Sequence, residues 1–175
     1  MPAYDTADTP TSKQVPLHPN KILKKTISGS ASALLVLLFV SFMIIAVTAS
    51  AIGLSVALGV AIVILVGAVA IEYIYQTWYY RAYYYDIKTE ILVIRKGVFA
   101  PKEISVPFAR IQDVYVDRDL LDLAFGLYDV HISTATEQSG VHAHIDGVDE
   151  GNAQKLKEMI IARVKKESKK KNEGL

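Results

Sequence analysis

Cysteine is absent from this chain of 175 residues. Disulfides, thiolate nucleophiles and cysteine-based zinc sites are therefore excluded. The sequence also lacks a glycine-rich phosphate loop, a nucleophile elbow and a His-Glu-x-x-His motif. The formal net charge of +1 provides no overall field that would attract nucleic acid. We therefore predict a protein that is not an enzyme, with no catalytic residue, cofactor, small-molecule substrate or nucleic-acid partner.

Charge is absent from residues 26–71, where no Asp, Glu, Lys, Arg or His occurs. A helix that crosses a bilayer needs about 20 apolar residues, so this run is too long for one helix and suits two. It is also longer than the apolar core of a secretory signal peptide. We predict spans at about 26–48 and 52–75, within a transmembrane hairpin that covers residues 21–77.

Small residues and flanking charges refine this hairpin. Gly53, Ala57 and Ala61 are spaced four apart, which predicts a packing seam along one helix face. Positive charges flank the spans and are missing from the short connection; they are Lys21, Lys24, Lys25, Arg81 and Lys88. By the positive-inside rule, we expect a multi-pass protein of the cell (inner) membrane with both termini in the cytoplasm.

Aromatic residues gather directly after the second span. Seven of the ten tyrosines and the single tryptophan fall within residues 73–85. Amphipathic rings of this kind favour the headgroup level of a bilayer. A surface that stacks on bases would also need basic residues between the rings, and only Arg81 lies there. The cluster therefore predicts an interface belt.

The remaining sequence predicts an N-terminal arm and a β-rich domain. Residues 1–20 hold four of the six prolines, which favours a disordered arm. Residues 78–168 form the predicted domain, and residues 169–175 form a basic tail. Alternating apolar residues predict strands near 83–85, 91–99, 103–107, 111–117, 130–135 and 141–145.

Two helices interrupt or follow these strands. Asp119 is a candidate cap for a short helix that closes at Gly126 with a left-handed backbone. Its inner side is predicted to hold Leu120, Leu123 and Ala124. Asp149 is the candidate cap of a C-terminal amphipathic helix whose apolar face comprises Leu156, Met159, Ile160 and Val164.

The order of these elements, with particular residues in it, resembles the membrane-flanked bacterial pleckstrin-homology-like family, bPH2 or DUF304 (YdbS-like). The likeness is carried by Arg95-Lys96-Gly97, by Val106-Pro107-Phe108-Ala109-Arg110-Ile111-Gln112-Asp113-Val114, by Phe125-Gly126-Leu127 and by Ser133-Thr134-Ala135. The His18-Pro19 pair also fits, so the likeness covers roughly residues 18–165.

The resemblance implies a two-helix transmembrane hairpin followed by a mainly-β PH-like split barrel that a C-terminal α-helix caps. It implies no activity. Phosphoinositide-binding PH domains carry basic residues around their first hairpin loop. Here that loop, residues 86–90, holds one lysine beside two acids, so the motif is not carried over.

Three polar groups are candidates for function. His131, His142 and His144 are predicted to share the outer face of a hairpin, where cross-strand imidazoles could bind a transition metal, although surface histidines are common. Arg110 is expected to fix a strand junction, or else to contact a partner together with Gln112 and Asp113. The basic cluster Arg163, Lys165, Lys166, Lys169, Lys170 and Lys171 suits either anionic lipid or a solvated helix end.

Together these features predict a membrane-anchored, non-catalytic binding or scaffolding module. Its expected partners are the lipid bilayer and either a second copy or another membrane protein. The alternatives are lipid-headgroup binding at the membrane surface, and metal or pH sensing by the histidine-bearing strand face.

Overall fold

The computed structural model describes residues 10–52, 54–134 and 143–173. The chain divides into two compact units, one made of Met1–Lys21 with Arg81–Leu175 and the other of Ile22–Tyr80. We call the first the β unit and the second the helical unit.

The described elements follow one another in a simple order. They are α1 (Thr11–Gln14), α2 (Asn20–Ile52), α3 (Leu54–Ala82), β1 (Tyr84–Ile87), β2 (Ile91–Lys96), β3 (Lys102–Pro107), a 3-10 turn (Phe108–Arg110), β4 (Ile111–Asp117), α4 (Leu120–Phe125), β5 (Tyr128–Thr134), β6 (Ala143–Val148) and α5 (Glu150–Glu173). Six strands are thus present among the described residues.

The strands form two antiparallel sheets of three. Sheet A has the order β1-β2-β3 and sheet B the order β4-β5-β6. The register aligns alternate apolar residues across each sheet, as in the rows Tyr85–Ile94–Ile104 and Val114–Ile132–Ala143. These rows are buried. One face of each sheet therefore supplies the core, and the other faces outward.

Helix α5 completes this core. Asp149 caps it, since the Asp149 carboxylate accepts a hydrogen bond from the Asn152 amide at 2.9 Å. Leu156 and Ile160 are fully buried, and α5 packs on β4, β5 and the 3-10 turn. The mainly-β domain with a C-terminal helix is confirmed. The helix continues to Glu173, so the separate basic tail predicted from residue 169 is helical over its described part.

The N-terminal segment is part of the β unit. The hydroxyl and amide of Thr11 donate to Asp86, and the Ile87 amide of β1 donates to the Thr11 hydroxyl. The Tyr85 hydroxyl donates to the carbonyl of Val15, which is fully buried. The disordered arm predicted for residues 1–20 is therefore wrong for residues 10–20, because apolar and capping groups among the prolines bind the sheet; residues 1–9 lie outside the described residues.

The same segment then reaches β6. The His18 amide donates to the Gly147 carbonyl at 2.8 Å. The Lys21 ammonium donates to the Asp146 carboxylate at 3.0 Å and to the Asp146 carbonyl at 2.9 Å. Residues 10–21, which we call the strap, thus run from the β1 edge of sheet A to the β6 edge of sheet B.

The Lys21–Asp146 pair is buried, with both side chains less than one tenth exposed. The Lys21 ammonium also lies 3.7 Å from the centre of the Tyr83 ring, a cation–π contact. Gly147 has φ of +78°, and a Cβ there would lie 2.7 Å from the Lys21 side chain. A glycine is needed at this position both for its backbone conformation and for the room that the lysine stem occupies.

Helices α2 and α3 form the helical unit. Their side chains meet in a groove of about 410 Å³ lined from α2 by Leu38, Ser41, Phe42 and Ile45 and from α3 by Leu58, Ala61, Ile62 and Leu65. Ala61 of the predicted seam lies in this groove; Gly53 and the Ala57 side chain lie outside the described residues. Among the residues that the structure describes, one segment, Leu58–Ala82, has the length and composition of a membrane-crossing helix.

Helix α4 differs from its prediction in one respect. The capping box at Asp119 and the left-handed Gly126, with φ of +67°, are both present. However, Leu120 and Leu123 are 86% and 55% exposed, whereas Asp122 is buried. The predicted inner side is wrong because Asp122 turns inward to close the capping box, where it accepts a hydrogen bond from the Asp119 amide at 3.1 Å. The two leucines are left on the surface.

Replacing Gly126 by Val is expected to lower the unfolding free energy by about 1 kcal/mol or more, because a β-branched residue is strained at positive φ. A Cβ at this position meets nothing within 4 Å, so the loss would measure backbone strain alone. Thermal unfolding of the full chain in detergent micelles gives the readout. Gly126→Asn is the matched control, since Asn tolerates the left-handed region, and equal melting of the two variants would contradict the argument.

Replacing Lys21 by Met should destabilise the β unit by about 3–5 kcal/mol, because Asp146 would remain buried without its cation. Denaturant unfolding of the full chain in micelles checks this. The double variant Lys21→Met with Asp146→Leu should recover most of the loss, since it removes both buried charges. Lys13→Met, at an exposed lysine of the strap, should be close to neutral. A double variant no better than Lys21→Met would show that the pair itself is not the cause.

Candidate functional site

The predicted histidine face is present in its described part. His131 of β5 and His144 of β6 are register partners on the outer side of sheet B. Their rings stack, with centroids 5.6 Å apart and planes inclined by 18°. His142 lies outside the described residues. The alternation of Val130, Ile132 and Ile145 into the core produces this placement, because successive side chains of a strand point to opposite faces.

Tyr115 of β4 extends the row. It pairs in register with His131, and the two rings are almost parallel, at 6° and 5.0 Å between centroids. Three strands therefore hold Tyr115, His131 and His144 side by side as one continuous row of rings, which we call the aromatic strip. Tyr115 is 44% exposed and the two imidazoles are partly exposed. The sequence did not single out Tyr115, because only the register shows that it joins the histidines.

A carboxylate orients the central imidazole. The Asp117 carboxylate lies 3.0 Å from Nε2 of His131. Asp146, two residues after His144 in the chain, pairs instead with Lys21 in the core. Asp117 lies two residues after Tyr115 on β4, so both side chains are on the same face of sheet B. This contact fixes the His131 ring as the middle member of the strip.

The stacking of His131 and His144 does not favour a metal ion shared by these two imidazoles. Two imidazoles on one ion direct their nitrogen lone pairs to a common point, whereas stacked, nearly parallel rings direct them side by side. Among the described residues, no group of three His, Cys, Asp or Glu side chains is placed to hold a metal ion. Partly exposed rings with polar edges are instead typical of protein interfaces.

The other polar candidates lie apart from the strip. Gln112 and Asp113 are exposed on β4, and the Asp113 carboxylate accepts a hydrogen bond from the Val114 amide at 2.8 Å. Arg110 is exposed at the end of the 3-10 turn. The bond expected to fix the strand junction through Arg110 is not seen among the described residues. The junction is fixed instead by the Phe108 amide, which donates to the Glu90 carbonyl at 3.1 Å.

The basic cluster at the end of α5 is mostly exposed in its described part: Lys165, Lys166, Lys169 and Lys170 are exposed and Arg163 is half-buried. The Lys171 side chain lies outside the described residues. Lys170 lies 3.6 Å from Glu167 and 4.0 Å from Glu90. At such separations and exposures, ion pairs contribute little to stability. The cluster is a charged surface of α5, and the aromatic strip lies on different elements, β4, β5 and β6.

The first hairpin of sheet A binds the strap and so has a structural role. Asp86, predicted to begin the hairpin loop where a phosphoinositide site would need cations, lies in β1 and accepts hydrogen bonds from Thr11 of the strap. A cleft of about 570 Å³ on this side of the unit is lined by Lys88 and Arg95 but also by Glu103. Its mixed charge does not single out an anionic ligand.

Two three-stranded sheets closed by a C-terminal helix form a mainly-β domain of the pleckstrin-homology kind. The family model described as "Bacterial PH domain" (bPH_2) matches residues 29–164. The chain belongs to this bacterial PH family, and PH-like domains are in general non-catalytic binding modules. No match was found among curated proteins or among solved structures.

Proposed function

We propose that the chain is an integral membrane protein that presents a non-catalytic PH-like binding module to the cytoplasm. Helices α2 and α3 cross the bilayer as a hairpin. The observation that carries this proposal is the surface of the helical unit. The most apolar window of Leu58–Ala82 is 0% buried, and Val63 and Ile71 are 72% and 70% exposed. An apolar surface of this extent in water would drive aggregation, whereas lipid satisfies it.

The side chains of α2 are also suited to a lipid environment. Leu35, Phe39 and Phe42 are each at least 65% exposed. Main-chain hydrogen bonds are satisfied inside a helix, so an apolar helix is compatible with the hydrocarbon core without further partners. Both helices therefore have the surface that a lipid-embedded hairpin requires.

The end of α3 supports a defined depth. Tyr73 and Trp78 are about half exposed, and Tyr75 and Tyr79 are intermediate. Such rings favour the boundary between headgroups and acyl chains. The helix thus has an apolar middle and an aromatic end, which directly precedes β1.

The charge pattern orients this hairpin with both termini in the cytoplasm. Lys24 and Lys25 precede the apolar run, Arg81 and Lys88 follow it, and residues 49–53 carry no charge. Lys21 is held in the β unit by Asp146, so the rule applies here through the other four cations.

Single cysteines test this topology directly, because the native chain contains none. A membrane-impermeant thiol reagent added to intact cells should label Ser50→Cys, in the last turn of α2, and should not label Glu90→Cys until the membrane is permeabilised. Both positions are expected to react after permeabilisation, which controls for access. Labelling of position 90 in intact cells would contradict the cytoplasmic placement.

The module is proposed to associate with a second copy or with another membrane protein through the aromatic strip. The β1 and β6 edges of the sheets are engaged by the strap, which leaves them little capacity to add a foreign strand. On the far side, Lys102 and Asp113 place charges on β3 and β4, and a bulge lies between Ile111 and Asp113. These features disfavour edge pairing, so a face of sheet B is the better contact.

Crosslinking in native membranes tests the association. The wild-type chain should give a discrete higher band, and Tyr115→Ser should weaken it severalfold because the most exposed ring of the strip is lost. Glu103→Ser is the control, at an exposed strand position of β3 outside the strip. A chain that forms no crosslink, or a Tyr115→Ser variant equal to the control, would contradict association through the strip.

A further inference from the structure

Three large apolar side chains stand out on the described surface of the β unit. Leu120, Phe99 and Leu123 are 86%, 80% and 55% exposed, and each is more exposed than Tyr115 of the aromatic strip. None belongs to the strip. Leu120 and Leu123 are three residues apart on α4 and so lie next to each other on its surface.

Phe99 lies at the tip of the turn between β2 and β3. Gly97 opens this turn with φ of +113°, and a Cβ there would lie 2.7 Å from the Ala100 carbonyl oxygen. The turn is therefore tight, and the Phe99 side chain lies exposed on it. Lys96 and Lys102 are register partners at its base. The turn therefore presents a phenylalanine ahead of two lysines.

This turn lies where the chain enters the β unit from α3. Tyr84, the first residue of β1, pairs with Arg95 next to the end of β2. Ala82, the last residue of α3, lines the same cleft as Gly97, Val98 and Pro101 of the turn. The antiparallel register thus brings the Phe99 turn beside residue 82.

Helix α4, which carries Leu120 and Leu123, lies where the chain leaves the β unit toward α2. The side-chain amide of Asn20, the first residue of α2, donates to the Phe125 carbonyl at the end of α4, at 3.0 Å. The next residue, Lys21, is fixed in the core by Asp146. The exposed leucines are therefore on an element held against residue 20.

From these contacts we propose that the β unit docks on the surface of its own bilayer, with Phe99, Leu120 and Leu123 inserted at the boundary between headgroups and acyl chains. The inference rests on the proposed function, in which the helices that start at residue 20 and end at residue 82 cross the membrane. Two such points of attachment keep the elements beside them close to the bilayer plane.

The chemistry of the surface fits a lipid occupant. Apolar side chains that sit ahead of lysines match the interface, where rings and aliphatic groups enter the acyl boundary and ammonium groups remain among anionic headgroups. Long lysine stems allow this arrangement by reaching back to the polar layer. A protein occupant would have to present an apolar groove at the same distance from the membrane. The attachment at residues 20 and 82 brings these side chains close to lipid without any such partner.

Site-directed fluorescence on the full chain tests the docking. Phe99→Cys and Leu120→Cys, each labelled with an environment-sensitive dye, are reconstituted at low protein density in vesicles of phosphatidylcholine and phosphatidylglycerol. We expect severalfold stronger quenching by lipids brominated near the headgroup, and severalfold weaker quenching by iodide, than for a label at Gln154→Cys, an exposed position of α5.

Each other outcome has a definite meaning. Labels at 99 and 120 that iodide quenches as strongly as the label at 154 would overturn the docking. Labels shielded from iodide but not quenched by brominated lipid would also overturn it, in favour of a protein contact. Alkaline extraction followed by flotation separates this from the proposed function: a chain that stays with the vesicles while its labels remain in water is anchored but not docked, whereas an extracted chain is not anchored.

Discussion

The buried ion pair between Lys21 and Asp146 is the interaction on which the arrangement of the β unit depends. It joins the first turn of α2 to the middle of β6, two points 125 residues apart in the chain. A buried pair of this kind does not have to add net stability, since the two charges also lose their hydration. What it does is specify one geometry, because either charge alone in the core would be strongly unfavourable.

That fixed point determines the path of the strap. Once Lys21 is held on β6, residues 10–20 can lie along the strand edges, where Thr11 bonds to β1 and His18 to β6. Open strand edges are the usual site of unwanted pairing between chains. The protein engages two of them with its own N-terminal segment.

The aromatic strip and the exposed apolar side chains of the β unit differ in their chemistry. The aromatic strip is a row of rings with polar edges that strand register assembles and Asp117 orients. Phe99 on the β2–β3 turn and Leu120 on α4 are exposed side chains without polar edges, and Lys96 and Lys102 flank the turn. The first has the composition of a protein contact and the second that of a lipid contact. The two proposed contacts therefore depend on different side-chain chemistry.

Much of this architecture follows from the sequence by itself. The uncharged run required long apolar helices, alternation located the strands, and Asp119, Gly126 and Asp149 marked helix ends, because propensity, capping and backbone strain act within a few residues. Tertiary structure alone decided the rest. The sequence showed neither the contact of Thr11 with Asp86 nor the pair between Lys21 and Asp146. Asp122 rather than Leu120 turned inward, where it closes the capping box. Tyr115 and Asp117 joined His131 only through register, since pairing between strands is set by the packing of a whole sheet and not by any local stretch.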